Sequence, residues 1–318
     1  MLRIHFTDRD LARVRVAAAP DPLWETVLAM QKLVLDGVPA FARWRRRVRE
    51  GLRERDARAA VRFLQAIAPP ARYFPDFLTP AESACGLKAG LSAIRGTPPD
   101  RLGREVALMA KHHRLPGWTQ GLAVGASGAL DQVAGALQIA HDTLVAPQWT
   151  NVRTQVDTDR ALRSRLAGES GTLGLLESLR PAFRWEAPVL TVRYPVDRDL
   201  RLDGRGIRLV PSYFCWDTPV ALADDDLPPV LVFPVSHEHE PAPLPKHLAT
   251  LLGRTRAAVL YAVAGCPTSG ELADRLGISA AAVSRHTTVL REAGLIASRR
   301  HGAVVLHNLT PMGAALLG

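Results

Sequence analysis

The stretch from Thr268 to Leu295 constrains the fold more than any other part of the chain. It reads as a short helix, a tight turn and a second helix. Thr268 and Glu271 have the spacing of a capping box, which starts a helix. Leu272, Ala273 and Leu276 give that helix one apolar face. Gly277 ends it, because glycine is costly in a helix interior and cheap in a turn. Ser279 suits the N-cap of the next helix. There Val283, Thr287 and Leu290 recur at i, i+4 and i+7 and face inward. The opposite face carries Ala281, Ser284, Arg285 and Thr288. Small and hydroxyl side chains with one arginine suit a helix that lies close to a phosphate-lined groove.

The flanking residues complete a winged module. Arg254 to Ala264 reads as a supporting helix, and Ile296 to Arg300 and Val304 to Leu309 as two short strands. Arg299, Arg300, His301 and Gly302 fall at their hairpin, where a basic tip reaches a minor groove or the backbone. Thr310 caps a last helix, Pro311 to Leu317. The segment resembles the winged helix-turn-helix of the arsenic-repressor (ArsR) family of bacterial regulators. The resemblance is carried by Glu271-Leu-Ala273, Val283-Ser-Arg-His286, Leu290-Arg-Glu-Ala-Gly-Leu295 and the Arg299-Arg300-His301-Gly302 wing. It covers about the last 70 residues and implies a dimer whose Ser284-x-His286 helix enters the major groove of double-stranded DNA. Candidate DNA contacts are therefore Thr268, Ser279, Ala281, Ser284, Arg285, His286, Thr288, Arg299, Arg300 and His301.

One departure from that family bears on the signal. Many metal-sensing members carry a cysteine pair where this chain has Thr268 and Gly270. Cys266 stands alone nearby, and one thiol without a second ligand makes a poor zinc or arsenic site. No metal and no cofactor are expected, and the signal must come from elsewhere.

Charge agrees with the motif. The net charge is +9, which favours a polyanionic partner. Residues 246–318 hold eight Lys/Arg against three acids, over half of the excess. The three cysteines are far apart, so no disulfide framework is implied and a reducing cytoplasm fits. No apolar stretch has the length to span a membrane, and the first residues lack a long apolar run.

Residues 1–240 are expected to form a separate, mostly helical domain, serving effector binding or dimerisation, closed by a small antiparallel sheet. The whole chain is then mainly α in an α+β class, with the winged domain at 246–318. Asp21 caps a helix that has Pro22 at its first position. Phe41, Trp44, Val48 and Leu52 make an apolar stripe surrounded by Arg43, Arg45, Arg46, Arg47 and Arg49. A solvated face of a core helix is the plainer reading of those arginines, and a second nucleic-acid contact the sharper one. Asp131 to Val145 keeps helical spacing, and Trp149 opens a helix with Val152, Val156, Leu162 and Leu166 inward. Val189–Tyr194, Gly206–Val210 and Val230–Val235 read as strands, with hairpin chemistry at Asp203-Gly-Arg-Gly206. Pro241-Ala-Pro-Leu-Pro245 marks a semi-rigid linker. This region resembles the long N-terminal part of a subgroup of ArsR-like regulators, through Asp10-Leu-Ala-Arg13, Asp21-Pro-Leu-Trp-Glu25, Gly206-Ile-Arg-Leu-Val-Pro-Ser212 and Leu251-Leu-Gly-Arg-Thr-Arg256.

Catalytic signals are thin. Gly125-Ala-Ser-Gly-Ala129 lacks the second glycine of a nucleophile elbow, and neither a phosphate-binding loop nor a dinucleotide fingerprint is present. His237 and His239 project to one side of an extended linker and offer two metal ligands at most, so a solvated linker is the plainer reading. His112-His113 reads as a helix-end cap and Asp224-Asp-Asp226 as a polar loop. Trp24, Trp118, Trp149, Tyr213 and Trp216 are candidates to line a pocket for a small organic effector. The expectation is a non-enzymatic regulator. The alternative is an enzyme-like N-terminal domain fused to a DNA-binding module.

Overall fold

A computed structural model describes residues 1–34, 41–70, 73–179, 183–216, 218–235, 246–263, 268–276, 278–301 and 304–317. The chain divides into two compact units, 1–236 and 237–318. In the first, the elements run β1 (Leu2–His5), α1 (Asp8–Leu11), β2 (Val14–Val16), α2 (Pro22–Val34), α3 (Ala42–Gly51), α4 (Arg55–Gln65), α5 (Leu87–Arg95), α6 (Pro99–His112), α7 (Thr119–Ala123), α8 (Ser127–Leu144) and α9 (Trp149–Glu177). Six strands follow: β3 (Phe183–Glu186), β4 (Val189–Val192), β5 (Arg198–Arg201), β6 (Ile207–Ser212), β7 (Val220–Ala221) and β8 (Val230–Pro234).

The class is α+β, as expected, but the strands pair differently. They form two four-stranded sheets, ordered β3-β4-β1-β5 and β2-β6-β8-β7. Both are mixed. β1 runs antiparallel to β4 and parallel to β5, and β6 runs parallel to both β2 and β8. The cause lies at the N-terminus. Leu2, Ile4 and Phe6 alternate with Arg3 and His5, so one face of β1 is fully apolar and inserts between β4 and β5. Strands from opposite ends of the unit can pair in parallel because the intervening helices supply the crossover. The Asp203-Gly-Arg-Gly206 turn consequently is no hairpin: β5 and β6 belong to different sheets. Its chemistry is nevertheless as read, with positive φ at Asp203, Gly204 and Gly206. Gly206 is also required sterically, since a Cβ there would lie 2.4 Å from the Cβ of Arg13.

Two apolar cores flank the second sheet. Val210, Val230 and Val232 face a helical core built around Val133, Leu137, Ala140 and Leu144 of α8. Leu209, Leu231 and Phe233 face a second core with Leu2, Ile4, Leu190 and Val192. Burial on both faces explains the unbroken apolar runs of β6 and β8. α3 docks its inner face through Trp44, whose indole N–H donates to the Leu144 carbonyl at 2.8 Å. α9 breaks at Gly171, where φ is 63°. The expectation that Leu162 faces inward is wrong: it is 45% exposed, and Asp159 and Arg163 take the inner positions instead. Arg163 pairs with Asp159 at 3.0 Å, lies over the Phe233 ring and donates to Ser178 beyond the break. A buried guanidinium with each nitrogen hydrogen-bonded thus closes the corner of the helix.

Buried carboxylates stitch this unit together. Asp10 accepts from the Gly206 N–H at 2.8 Å, and Asp21 caps α2 through the Leu23 and Trp24 N–H groups. Both oxygens of Glu25 are occupied. Tyr213 N–H donates to one at 2.8 Å, and Phe214 N–H and the Ser212 hydroxyl to the other at 2.9 and 3.0 Å. Asp76 accepts from the Ala223 and Asp224 N–H groups at 2.8 Å each, and Glu105 from Phe77 N–H at 2.8 Å. Burial raises Glu25 and Asp76 to about 7, outweighing the hydrogen bonds that favour their charged forms.

Candidate nucleic-acid interface

The second unit contains α10 (Lys246–Leu252), α11 (Arg254–Val263), α12 (Ser269–Leu276), α13 (Ala280–Glu292), β9 (Ile296–His301), β10 (Val304–Leu309) and α14 (Pro311–Leu317). Its core joins Leu248, Ala257, Leu260, Val263, Leu272, Val283, Leu290 and Ile296, so one apolar side chain or more from α10 to α13 and β9 reaches the centre. Helix α10 was not foreseen, and Gly253, with φ 78°, separates it from α11. Among the described residues of the whole chain no helix is long and apolar enough to cross a membrane.

α13 is built as its pattern dictates. The Ser279 hydroxyl accepts from the Ala282 N–H at 3.2 Å, closing the first turn. Val283, Thr287 and Leu290 are buried. Thr287 satisfies its hydroxyl on the Val283 carbonyl at 3.0 Å, so a polar side chain is tolerated in the core. Ala281, Ser284 and Arg285 are exposed, and His286 and Thr288 half-buried. Ser279 is exposed at the start of the helix and Thr268 half-buried at the start of α12. The Thr268 carbonyl accepts from Leu272 N–H, and its backbone bridges to Leu306 of β10. The side chains of Glu271 and His301 and all of Cys266, Gly277, His237 and His239 lie outside the described residues.

The wing is longer than the sequence pattern implied. Arg299, Arg300 and His301 belong to strand β9 and pair with Leu306, Val305 and Val304. Consecutive strand residues project to opposite faces, so the exposed Arg299 and Arg300 point to different sides of the ribbon. Arg300 shares its face with Ser298 and Ile296, Arg299 with Ala297.

His307 is the residue of this unit that sequence reasoning missed. It is 3% exposed on β10, directly opposite Ser298. One ring nitrogen meets the Ser298 hydroxyl at 2.8 Å, and the other meets the hydroxyl of Ser269, first residue of α12, at 2.9 Å. One imidazole therefore ties the helix-turn-helix to both strands of the wing. Burial, with the Arg291 charge, lowers its pKa and favours the neutral ring. Alternation with Val305 and Leu309 was the available signal, since it puts His307 on the inner face.

In the first unit the aromatic candidates do not converge. Trp24 is buried against Phe74, Trp118 stacks on Phe63 and Trp149 sits by His141. Tyr213 and Trp216 do share a cluster with Phe41, whose other members are Trp44 and Phe214. Asp224 accepts from the Asp226 N–H at 2.9 Å, and Asp225 pairs with Arg198, so the acidic trio is turned to loop structure. His113 caps the end of α6 through its backbone N–H, and both of its ring nitrogens are buried with no hydrogen-bond partner among the described residues.

Comparison with known proteins places one part of the chain. Residues 251–299, from the end of α10 into β9, match the family model described as a helix-turn-helix domain. No curated protein matches the chain. No solved structure matches it either. The second unit carries a helix-turn-helix domain of the DNA-binding, transcription-regulator type.

Proposed function

We propose that this chain is a cytoplasmic, sequence-specific transcriptional regulator of the ArsR type. It acts as a homodimer whose first unit responds to a small organic ligand, and it is not an enzyme. The carrying observation is α13: Ala281, Ser284 and Arg285 are exposed together while Val283, Thr287 and Leu290 hold the helix down. Arg285 is the candidate for bidentate recognition of guanine, Ser284, His286 and Thr288 for groove contacts, and Arg299 for the backbone. Dimerisation follows from economy of recognition, because one helix reads too few base pairs for specific occupancy. Half-site centres then lie one turn, roughly 10 bp, or a multiple apart. The buried carboxylates support the non-catalytic reading, since Glu25, Asp76 and Glu105 all accept backbone N–H groups.

Selection of binding duplexes from a random pool, followed by gel-shift titration with Arg285→Ala, tests this. The variant should lose about 1–3 kcal/mol of discrimination at one base position in each half-site. Equal affinity and unchanged base preference would refute the assignment of α13. Protection of a single asymmetric half-site by a monomer would refute the dimer.

A further inference from the structure

The segment 41–65 of the first unit holds nine arginines against three acids. The remainder of residues 1–235 is balanced, with 23 basic and 23 acidic side chains. All the net positive charge of that unit thus sits in 25 consecutive residues, which form α3 and α4.

The helices order this charge into stripes. Trp44 and Val48 face the core from α3, as does Phe41 just before it, and Ala57, Ala60, Val61 and Leu64 from α4. Opposite them stand Arg46 and Arg49 on α3, with Arg53 just past its end, and Arg55, Arg58 and Arg62 on α4. Each set has the spacing i, i+3, i+7, which is one side of a helix. All six side chains are exposed. Among the described residues none of the six makes a side-chain hydrogen bond or ion pair.

Elsewhere in the same unit several helix-surface arginines are paired with acids, although Arg153 of α9 is exposed without such a pair among the described residues. On α6, Arg101 pairs with Glu105 at 2.7 Å and Arg104 with Asp100 at 3.1 Å. On α9, Arg160 pairs with Asp157 at 3.2 Å and Arg165 with Glu169 at 3.6 Å. A merely solvated face interleaves signs in this way. Like charges three and four residues apart instead repel, and a bound polyanion relieves that repulsion. The ridge also lacks what a membrane surface needs. No large apolar side chain is exposed between residues 41 and 65, because both apolar faces are spent on the core.

We propose that the α3–α4 arginine ridge is a second DNA-binding surface, which holds duplex phosphates without reading bases. This rests on the reading of the chain as a DNA-binding regulator, and that reading also favours DNA over an acidic protein. The helix-turn-helix domain on the same chain raises the local concentration of duplex around the ridge. Each stripe extends roughly 10 Å along its helix, and B-DNA presents one charge per about 1.7 Å of axis, so either stripe has several phosphates within reach. Arginine suits the task, because its fork meets phosphate oxygens bidentately.

The test uses the full chain and a fluorescein-labelled 40-bp duplex of random sequence, titrated by anisotropy across a salt series. Three variants are compared with the parent. One carries R46Q, R49Q, R53Q, R55Q, R58Q and R62Q; the second has lysine at the same six positions; the third is R285A/R299A/R300A. Three lost phosphate contacts at about 0.9 each lower the slope of log K on log salt by about 3, so the glutamine variant should show that loss and at least about tenfold weaker binding at low salt. The lysine variant should recover most of both, since the charge is restored. Thermal melting of the exposed-site variants should match the parent. A glutamine variant with the parent's affinity and slope overturns the ridge, and so does a loss that lysine fails to restore. A parent that binds no duplex overturns the regulator reading itself. If only the third variant loses affinity, the regulator reading stands and the ridge falls.

Discussion

His307→Ala probes whether one buried imidazole joins the wing to the helix-turn-helix. The substitution removes hydrogen bonds of 2.8 and 2.9 Å and leaves the hydroxyls of Ser298 and Ser269 without their partner. Each bond contributes about 1 kcal/mol net, and both serines are half-buried and recover some hydration, so the loss is about 2 kcal/mol. In a unit of this size 1 kcal/mol moves the midpoint by about 4–8 °C, so the second unit should melt about 10 °C lower. The assay separates the units cleanly. All six tryptophans lie in the first unit, so their fluorescence follows that unit alone while calorimetry records both transitions. A pH series supplies a second readout. The folded pKa of His307 lies below the ordinary histidine value of 6.5, so between the two values the unfolded chain binds more protons and stability rises with pH. The contribution is complete above 6.5 and is lost as pH falls through the folded value. His307→Ala should lack that dependence. An unchanged calorimetric transition, or a loss confined to the tryptophan-monitored one, would refute the reasoning.

Glu25 gives the opposite pH trend in the first unit. Its folded pKa of about 7 lies above the ordinary glutamate value of 4.5, so stability falls as pH rises across that window, and Glu25→Gln should flatten the tryptophan-monitored decline while Asp76 keeps the rest. A Gln variant with the parent's full pH slope would contradict this. Gly206→Ala and Gly253→Ala form a pair: both have positive φ, but only at Gly206 would a Cβ meet backbone and side chain, at 2.4–2.5 Å from Arg13. Denaturant titration should show a loss of about 1 kcal/mol at Gly253 and clearly more at Gly206; equal losses would discount the close approach. Arg299→Ala and Arg300→Ala, made singly, should change the salt slope of DNA binding unequally, one by about 1 and the other by much less, because the two project from opposite faces of β9. Identical slopes would show that the ribbon does not discriminate them.

Local patterns carry the second unit. Ser279, Val283, Thr287 and Leu290 are all within 12 residues of one another, and capping and 3.6-residue periodicity act over that distance without help from the rest of the chain. The same holds for α2, capped by Asp21, and for the inner face of α3. The first unit's sheets were different in kind. β4, β6 and β8 were legible as apolar runs, but their partners β1 and β2 come from the first 16 residues, nearly 200 positions away. Alternation at Leu2, Ile4 and Phe6 announces a strand, and nothing in it names the neighbour.

The sequence by itself therefore determined the helix-turn-helix, its inward and outward faces, and the α+β class, because each depends on residues a few positions apart. Tertiary structure alone decided the mixed sheets, the use of buried Glu25 and Asp76 as acceptors for distant backbone, and the clamp at His307. In each of these a polar or edge group is satisfied by a partner far along the chain, and desolvation makes that partner obligatory without making it readable. The arginine stripes lie between the two cases. Their spacing is in the sequence, but that none has an acidic partner among the described residues appears only in the folded chain.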